Sequence, residues 1–158
     1  MIFSTTAVSF TRPNDTTAYT AGDLVANSTT AGSVTPLTFN IPYGKGVKLW
    51  GANLLKSTTT TTNATFKLHL YKDSPTCSNG DNGAWLTTCS GYQGSITIDA
   101  SVNTFSDDGQ AIGAVTSGPE YFLTDSDQLL YGLLTATAGY APGAQEVFTI
   151  QLLGESSM

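Results

Sequence analysis

From Ala64 to Tyr71 apolar and polar side chains alternate: Ala64, Phe66, Leu68 and Leu70 point one way, and Thr65, Lys67, His69 and Tyr71 the other. A period of two is that of a strand with one face on a core and one toward water. The same alternation recurs across Phe3 to Phe10, at Leu37, Phe39 and Ile41, at Ile96 and Ile98, and at Phe148, Ile150 and Leu152. Repeated half-buried strands predict an antiparallel sheet. Two runs, Val47 to Leu55 and Leu129 to Ala138, alternate less clearly and are the best helix alternatives. Each holds an internal glycine, Gly51 or Gly132. Such a glycine costs a helix about 1 kcal/mol relative to alanine, whereas a strand uses it at a bulge or a close crossing. Both runs therefore read as buried strands.

Turn chemistry separates the strands, at Pro42-Tyr43-Gly44, the Thr58 to Thr62 tract, Asn79-Gly80, Asp108-Gly109 and Pro142-Gly143. Asn-Gly and Asp-Gly supply the positive φ that tight hairpins require. Many short strands with frequent turns need two packed sheets to bury their apolar faces. The expected fold is all-β, an antiparallel β-sandwich of the jelly-roll type, with residues 1–158 forming a single domain. A chain of 158 residues is of one-domain size and can build a core without metal or disulfide staples. The threonine tract is short and reads as a solvated loop or strand entry.

Composition agrees with strands: charged residues are 11% of the chain, and Thr, Ser, Gly and Asn supply most of its polarity. Few charges disfavour salt-bridged helices. The formal net charge is −6, and no Lys or Arg follows Lys72. No basic stripe is available to neutralise phosphates, so nucleic-acid binding is disfavoured. No segment has the apolar length to cross a bilayer, and the start lacks the basic n-region and apolar core of an export signal. Asn14, Asn27 and Asn63 open N-x-Ser/Thr matches that a threonine-rich chain produces by chance.

Catalytic candidates are sparse. His69 is the only histidine; it sits mid-strand on the polar face, and no nucleophile-elbow pattern accompanies it. Sites built on two or three histidines are excluded. Paired acids at Asp107-Asp108, at Asp125 with Asp127, and at Asp99 could serve a glycosidase, but aspartates in turns more commonly bond their own backbone. A calcium ion could use Asn79, Asp81 and Asn82, or Asp125 and Asp127; neither cluster has an EF-hand loop. No metal, cofactor or catalytic residue is therefore assigned. Cys77 and Cys89 bracket a loop that a disulfide could close, while a reducing cytosol opposes one. Trp50, in an apolar strand, reads as core. Trp85, after a glycine-rich loop, is the better candidate for exposure, either as a contact or as a lid over the sandwich edge.

The stretch Thr11 to Ser28 carries the turn Arg12-Pro13-Asn14-Asp15, which no helix can cross, and then a short strand, Tyr19 to Ala26, broken at Ala21-Gly22-Asp23. Together with Lys48 to Leu55, Phe66 to Tyr71 and the Ser74 to Trp85 loop, it resembles the tailed-phage virion structural proteins, in particular the capsid decoration or cementing family. The resemblance covers a little over the first half of the chain. It implies a non-enzymatic protein, made in the host cytoplasm, that binds the major capsid protein on the outer surface of the virion as a homo-oligomer, dimer or trimer. It brings no catalytic motif and no cofactor. Arg12, Pro13, Tyr19 and Trp85 are the interface candidates, with Arg12 to Ser28 expected as an edge strand or arm. Pro13 on an edge equally guards against unwanted pairing. The competing expectation is a carbohydrate-binding or receptor-binding tail module using aromatics around Trp85.

Overall fold

A computed structural model describes residues 1–42, 44–76, 79–86, 88–99, 111–114 and 120–157, with 111–114, 120 and 157 described in backbone only. Its strands are β1 (Ile2–Ser4), β2 (Val8–Thr11), β3 (Leu24–Val25), β4 (Leu37–Asn40), β5 (Gly46–Lys56), β6 (Thr65–Tyr71), β7 (Tyr92–Asp99), β8 (Ala111–Ala114), β9 (Glu120–Leu123), β10 (Leu129–Ala136) and β11 (Val147–Ser157). All pairings are antiparallel. One sheet is built on β11 and β5, flanked by β1 and β2 on one side and by β8 and β9 on the other. The second runs β7–β6–β10 and ends in β3 and β4. The two sheets pack together as a β-sandwich. They are joined where β8 also meets β7, through Thr97 and Ala114.

The alternating positions become the core. Phe39, Ile41, Leu54, Phe66, Leu68, Ile96, Ile98, Leu130, Phe148, Ile150 and Leu152 are all fully buried between the sheets. Each such side chain contributes roughly 1.5–3 kcal/mol relative to exposure. Phe66 is central, with its ring edge-on to Tyr140 at 5.2 Å and to Phe148 at 5.3 Å.

The two apolar runs are strands, β5 and β10, as their glycines indicate. A Cβ on Gly132 would lie 2.9 Å from Leu68 Cδ1 and 3.1 Å from Phe39 Cε2, side chains of the flanking strands β6 and β4, which fill the space over the glycine. The stretch Phe3 to Phe10, expected as one strand, is two. Between β1 and β2, Thr5 turns inward and its Oγ1 accepts the Leu152 N–H at 3.0 Å. A buried hydroxyl takes that bond at a break in the ladder, and pairing with β11 resumes at Val8.

Strand β5 carries a bulge at Trp50: Leu49 pairs with Gly154 and Gly51 with Leu153, which leaves Trp50 without a Cα partner on β11. An extra residue in one strand redirects its side chains. Trp50 thereby faces outward, 44% exposed, which corrects its assignment to the core. Close approach at the bulge needs Gly154, where a Cβ would meet the Lys48 carbonyl oxygen at 2.7 Å.

Candidate binding face

The segment Arg12 to Ser28 ends in β3, at the edge of its sheet, and before it forms a strap tied down by buried side chains. Arg12 and Tyr19 are 2% and 1% exposed, so neither offers a surface to a partner. Arg12 Nη2 donates to Asp81 Oδ2 at 2.9 Å, Tyr19 Oη donates to Asp81 Oδ1 at 2.6 Å, and the Ala26 N–H reaches Asp81 Oδ1 at 2.8 Å. Arg12 Nε also donates to Tyr19 Oη. A buried carboxylate with a cation and two further donors is fully satisfied, so Asp81 is a structural anchor and not a free calcium ligand. Burial and the neighbouring Asp81 push the Tyr19 phenol well above its ordinary range. Pro13 is partly exposed at the strap's start; its carbonyl accepts the Gln145 N–H at 3.2 Å.

A second polar cluster adjoins the first. Glu146 accepts Tyr140 Oη at 2.7 and 2.9 Å, accepts Thr58 Oγ1, and lies 3.6 Å from Lys56 Nζ. Burial lowers the Lys56 ammonium pKa, and Glu146 opposes that shift. The Arg12 N–H bonds the Glu146 carbonyl at 3.0 Å, and the Tyr19 and Tyr140 rings stack at 6.4 Å. Together the clusters fasten the strap and the Pro142-Gly143 turn to the body.

Trp85 closes the outer side of β6. Its ring stacks on His69 at 3.8 Å and its Nε1 donates to Tyr71 Oη at 2.7 Å. Trp85 is half-buried, a lid over the sheet, with Tyr92 beside it. His69 was expected on a wet face; under this lid it is 4% exposed. Burial, then Lys67, lower its pKa to about 4. Its Nε2 bonds Thr135 Oγ1 at 3.0 Å, a packing role. The Tyr71 phenol is pushed up to about 12, mainly by burial.

The other candidates are occupied locally. Asp125 Oδ1 accepts the Asp127 and Leu129 N–H groups, and its Oδ2 accepts Tyr131 Oη. Asp99 accepts Thr65 Oγ1 at 3.1 Å. Asp107, Asp108 and Cys77 lie outside the described residues; Cys89 is disulfide-bonded. Among the described residues no group of three or more His, Cys, Asp or Glu could hold a metal ion.

Among the described residues, one end of the outward face of the β11–β5 sheet stands uncovered. Cα partners run Ile2–Glu155–Lys48–Tyr121 across β1, β11, β5 and β9. One step along, Ser4 pairs with Leu153, beside the bulged Trp50; one step the other way, Leu123 pairs with Gly46. Ile2 is 72%, Tyr121 70% and Leu123 55% exposed. Gly46 has no side chain, and around it Lys48, Tyr121, Leu123 and Glu155 line a hollow of about 440 Å³. Ser156, which also lines it, is buried, and its Oγ has no hydrogen-bond partner among the described residues. Clustered large apolar side chains on a sheet face mark an interaction surface. The far end of the same face is polar around an exposed Leu55: Ser9 and Thr149 hydroxyls bond at 2.7 Å, and Asn53 Nδ2 reaches Gln151 Oε1 at 3.4 Å.

Sequence reasoning selected none of these residues as contacts. Two signals were available: Lys48 and Trp50 keep one parity on β5 while Asn53 and Leu55 keep the other, which is the trace of a bulge, and Tyr121 and Leu123 repeat at a period of two. No protein-family model, curated protein or solved structure matches this chain.

Proposed function

We propose that this protein is a non-enzymatic capsid decoration, or cementing, protein of a tailed phage, bound to the outer surface of the major capsid lattice. The observation that carries the reading is the strand order of the sandwich, β2–β11–β5–β8 against β4–β10–β6–β7; the apolar end of the outward sheet face, where Ile2, Trp50, Tyr121 and Leu123 stand exposed on paired strands, adds that the chain meets protein. A rigid sheet that presents aromatic and aliphatic side chains beside a single pair of opposite charges suits contact with protein. The acidic balance of the chain fits the outside of a shell, away from packed DNA. The segments that resemble the decoration family include β5, which supplies Lys48 and Trp50 to this face.

We read the sandwich as a jelly roll, a fold common among viral coat proteins. The strand order supports this: β2–β11–β5–β8 in one sheet and β4–β10–β6–β7 in the other interleave early and late strands. A decoration protein works by multivalency, since each copy bridges neighbouring lattice subunits and modest contacts act at high effective concentration. Co-sedimentation of the purified protein with phage heads lacking it tests the reading. Saturable binding at a fixed ratio to the major capsid protein is expected; absence of binding, or binding to isolated tails alone, contradicts it.

A further inference from the structure

The row Ile2–Glu155–Lys48–Tyr121 is self-complementary. Its order is apolar, acidic, basic, apolar, with neighbouring strands ~4.8 Å apart. Consider a two-fold axis parallel to the strands that passes over the gap between β11 and β5. A second copy laid face to face about that axis has its row reversed. Glu155 of each copy then meets Lys48 of the other, and Ile2 of each meets Tyr121 of the other. One step along, Trp50 on β5 of one copy meets Leu153 on β11 of its mate. Apolar groups fall on apolar groups and opposite charges on each other, twice per contact, which is what an isologous interface requires. Neither Lys48 nor Glu155 enters an ion pair within its own chain among the described residues, so both charges are available. The hollow between Tyr121 and Leu123 leaves room for Ile2 of the second copy. Aligned face-to-face packing of two sheets is also a stable arrangement, with strands within about 30° of each other.

We infer that this face is a homodimer interface, in which a second copy of this chain covers Ile2, Trp50, Leu153 and Tyr121 and pairs Lys48 with Glu155 across a two-fold axis. The inference rests on the reading above in taking protein as what covers the face, and it narrows that reading by assigning the face to a second copy. The capsid lattice then meets other surfaces of the dimer.

The geometry gives a test that only an intermolecular contact can pass. Lys48→Glu sets acid against acid at both copies of the contact, and Glu155→Lys sets amine against amine. Each single variant is expected to weaken self-association on the order of 10- to 100-fold. Mixed in equal amounts, the two variants are complementary at both contacts, although each chain still carries its own like-charged cross-strand pair. Sedimentation velocity should find wild type dimeric, each variant alone monomeric, and the mixture dimeric again. A wild-type protein that stays monomeric at about 100 µM overturns the inference. So does a mixture that stays monomeric while wild type is a dimer, because the dimer then uses another face. The two readings fail separately: a monomer that saturates phage heads leaves the decoration role standing and the dimer refuted, and a dimer restored by mixing that ignores phage heads does the reverse.

Discussion

Tyr19 donates its phenolic proton to Asp81 at 2.6 Å, joining parts of the chain 62 residues apart. The same carboxylate carries Arg12 on its other oxygen, so one aspartate organises the N-terminal strap. Asp81→Ala leaves the Arg12 guanidinium buried without its main counter-charge, which costs about 3–5 kcal/mol. Tyr19→Phe removes one hydrogen bond and keeps the ion pair, at about 1 kcal/mol. Urea unfolding of the two variants should reproduce that order; equal losses would argue that the ion pair is not what holds the strap.

Stability should fall as pH drops from about 6.5 toward 4. His69 has its folded pKa lowered to about 4 by burial and then by Lys67, below the ordinary unfolded value of about 6.5. Across that window the unfolded chain binds a proton that the folded chain refuses, so the contribution is complete above the unfolded value and is lost as pH falls through the window. The loss is at most about 3 kcal/mol. His69→Gln should flatten this part of the pH–stability curve. An unchanged slope would place its source at other groups.

Gly80→Ala should loosen the Asp81 anchor without touching the carboxylate. A Cβ at Gly80 would lie 2.2 Å from the Thr29 carbonyl oxygen, and backbone cannot move aside as a flexible side-chain tip can. The Asp81 N–H to Ser28 carbonyl bond at 2.6 Å would be displaced with it. Overpacking of this kind costs about 1–3 kcal/mol. Hydrogen exchange should locate the loss in the strap and the Asn79 to Trp85 loop.

The two tryptophans should separate in the isolated protein. Trp85→Ala loses the His69 stack and the bond to Tyr71, for about 2 kcal/mol of stability. Trp50→Ala removes an exposed side chain and should leave monomer stability within ~0.5 kcal/mol while weakening self-association. Thermal unfolding at low concentration, read beside sedimentation, checks both halves.

Most strands were legible because half-buried strands write their faces at a period of two, as β6 and β11 do. The buried strands β5 and β10 were legible through Gly51 and Gly132, which speak against helices. The bulge was the first obscure feature: one extra residue at Trp50 reverses the parity of β5, and an apolar run conceals the reversal. His69 was misplaced because alternation tells which side of a sheet a residue takes, and says nothing of whether a loop with Trp85 returns to cover that side. Arg12 and Tyr19 were misread as surface contacts for a related reason. Arg12 finds Asp81 by tertiary folding 69 residues away, and no local pattern marks that pairing. The outward face escaped notice because its row is assembled from four strands, each adding one residue.

We propose that this chain decorates the outside of a capsid. A cryo-electron microscopy map of the parent virion tests it most directly. Density fitting this sandwich is expected on the outer surface of the head, in contact with more than one major capsid subunit. Density for the chain in the tail, or particles that lack it altogether, would contradict the claim.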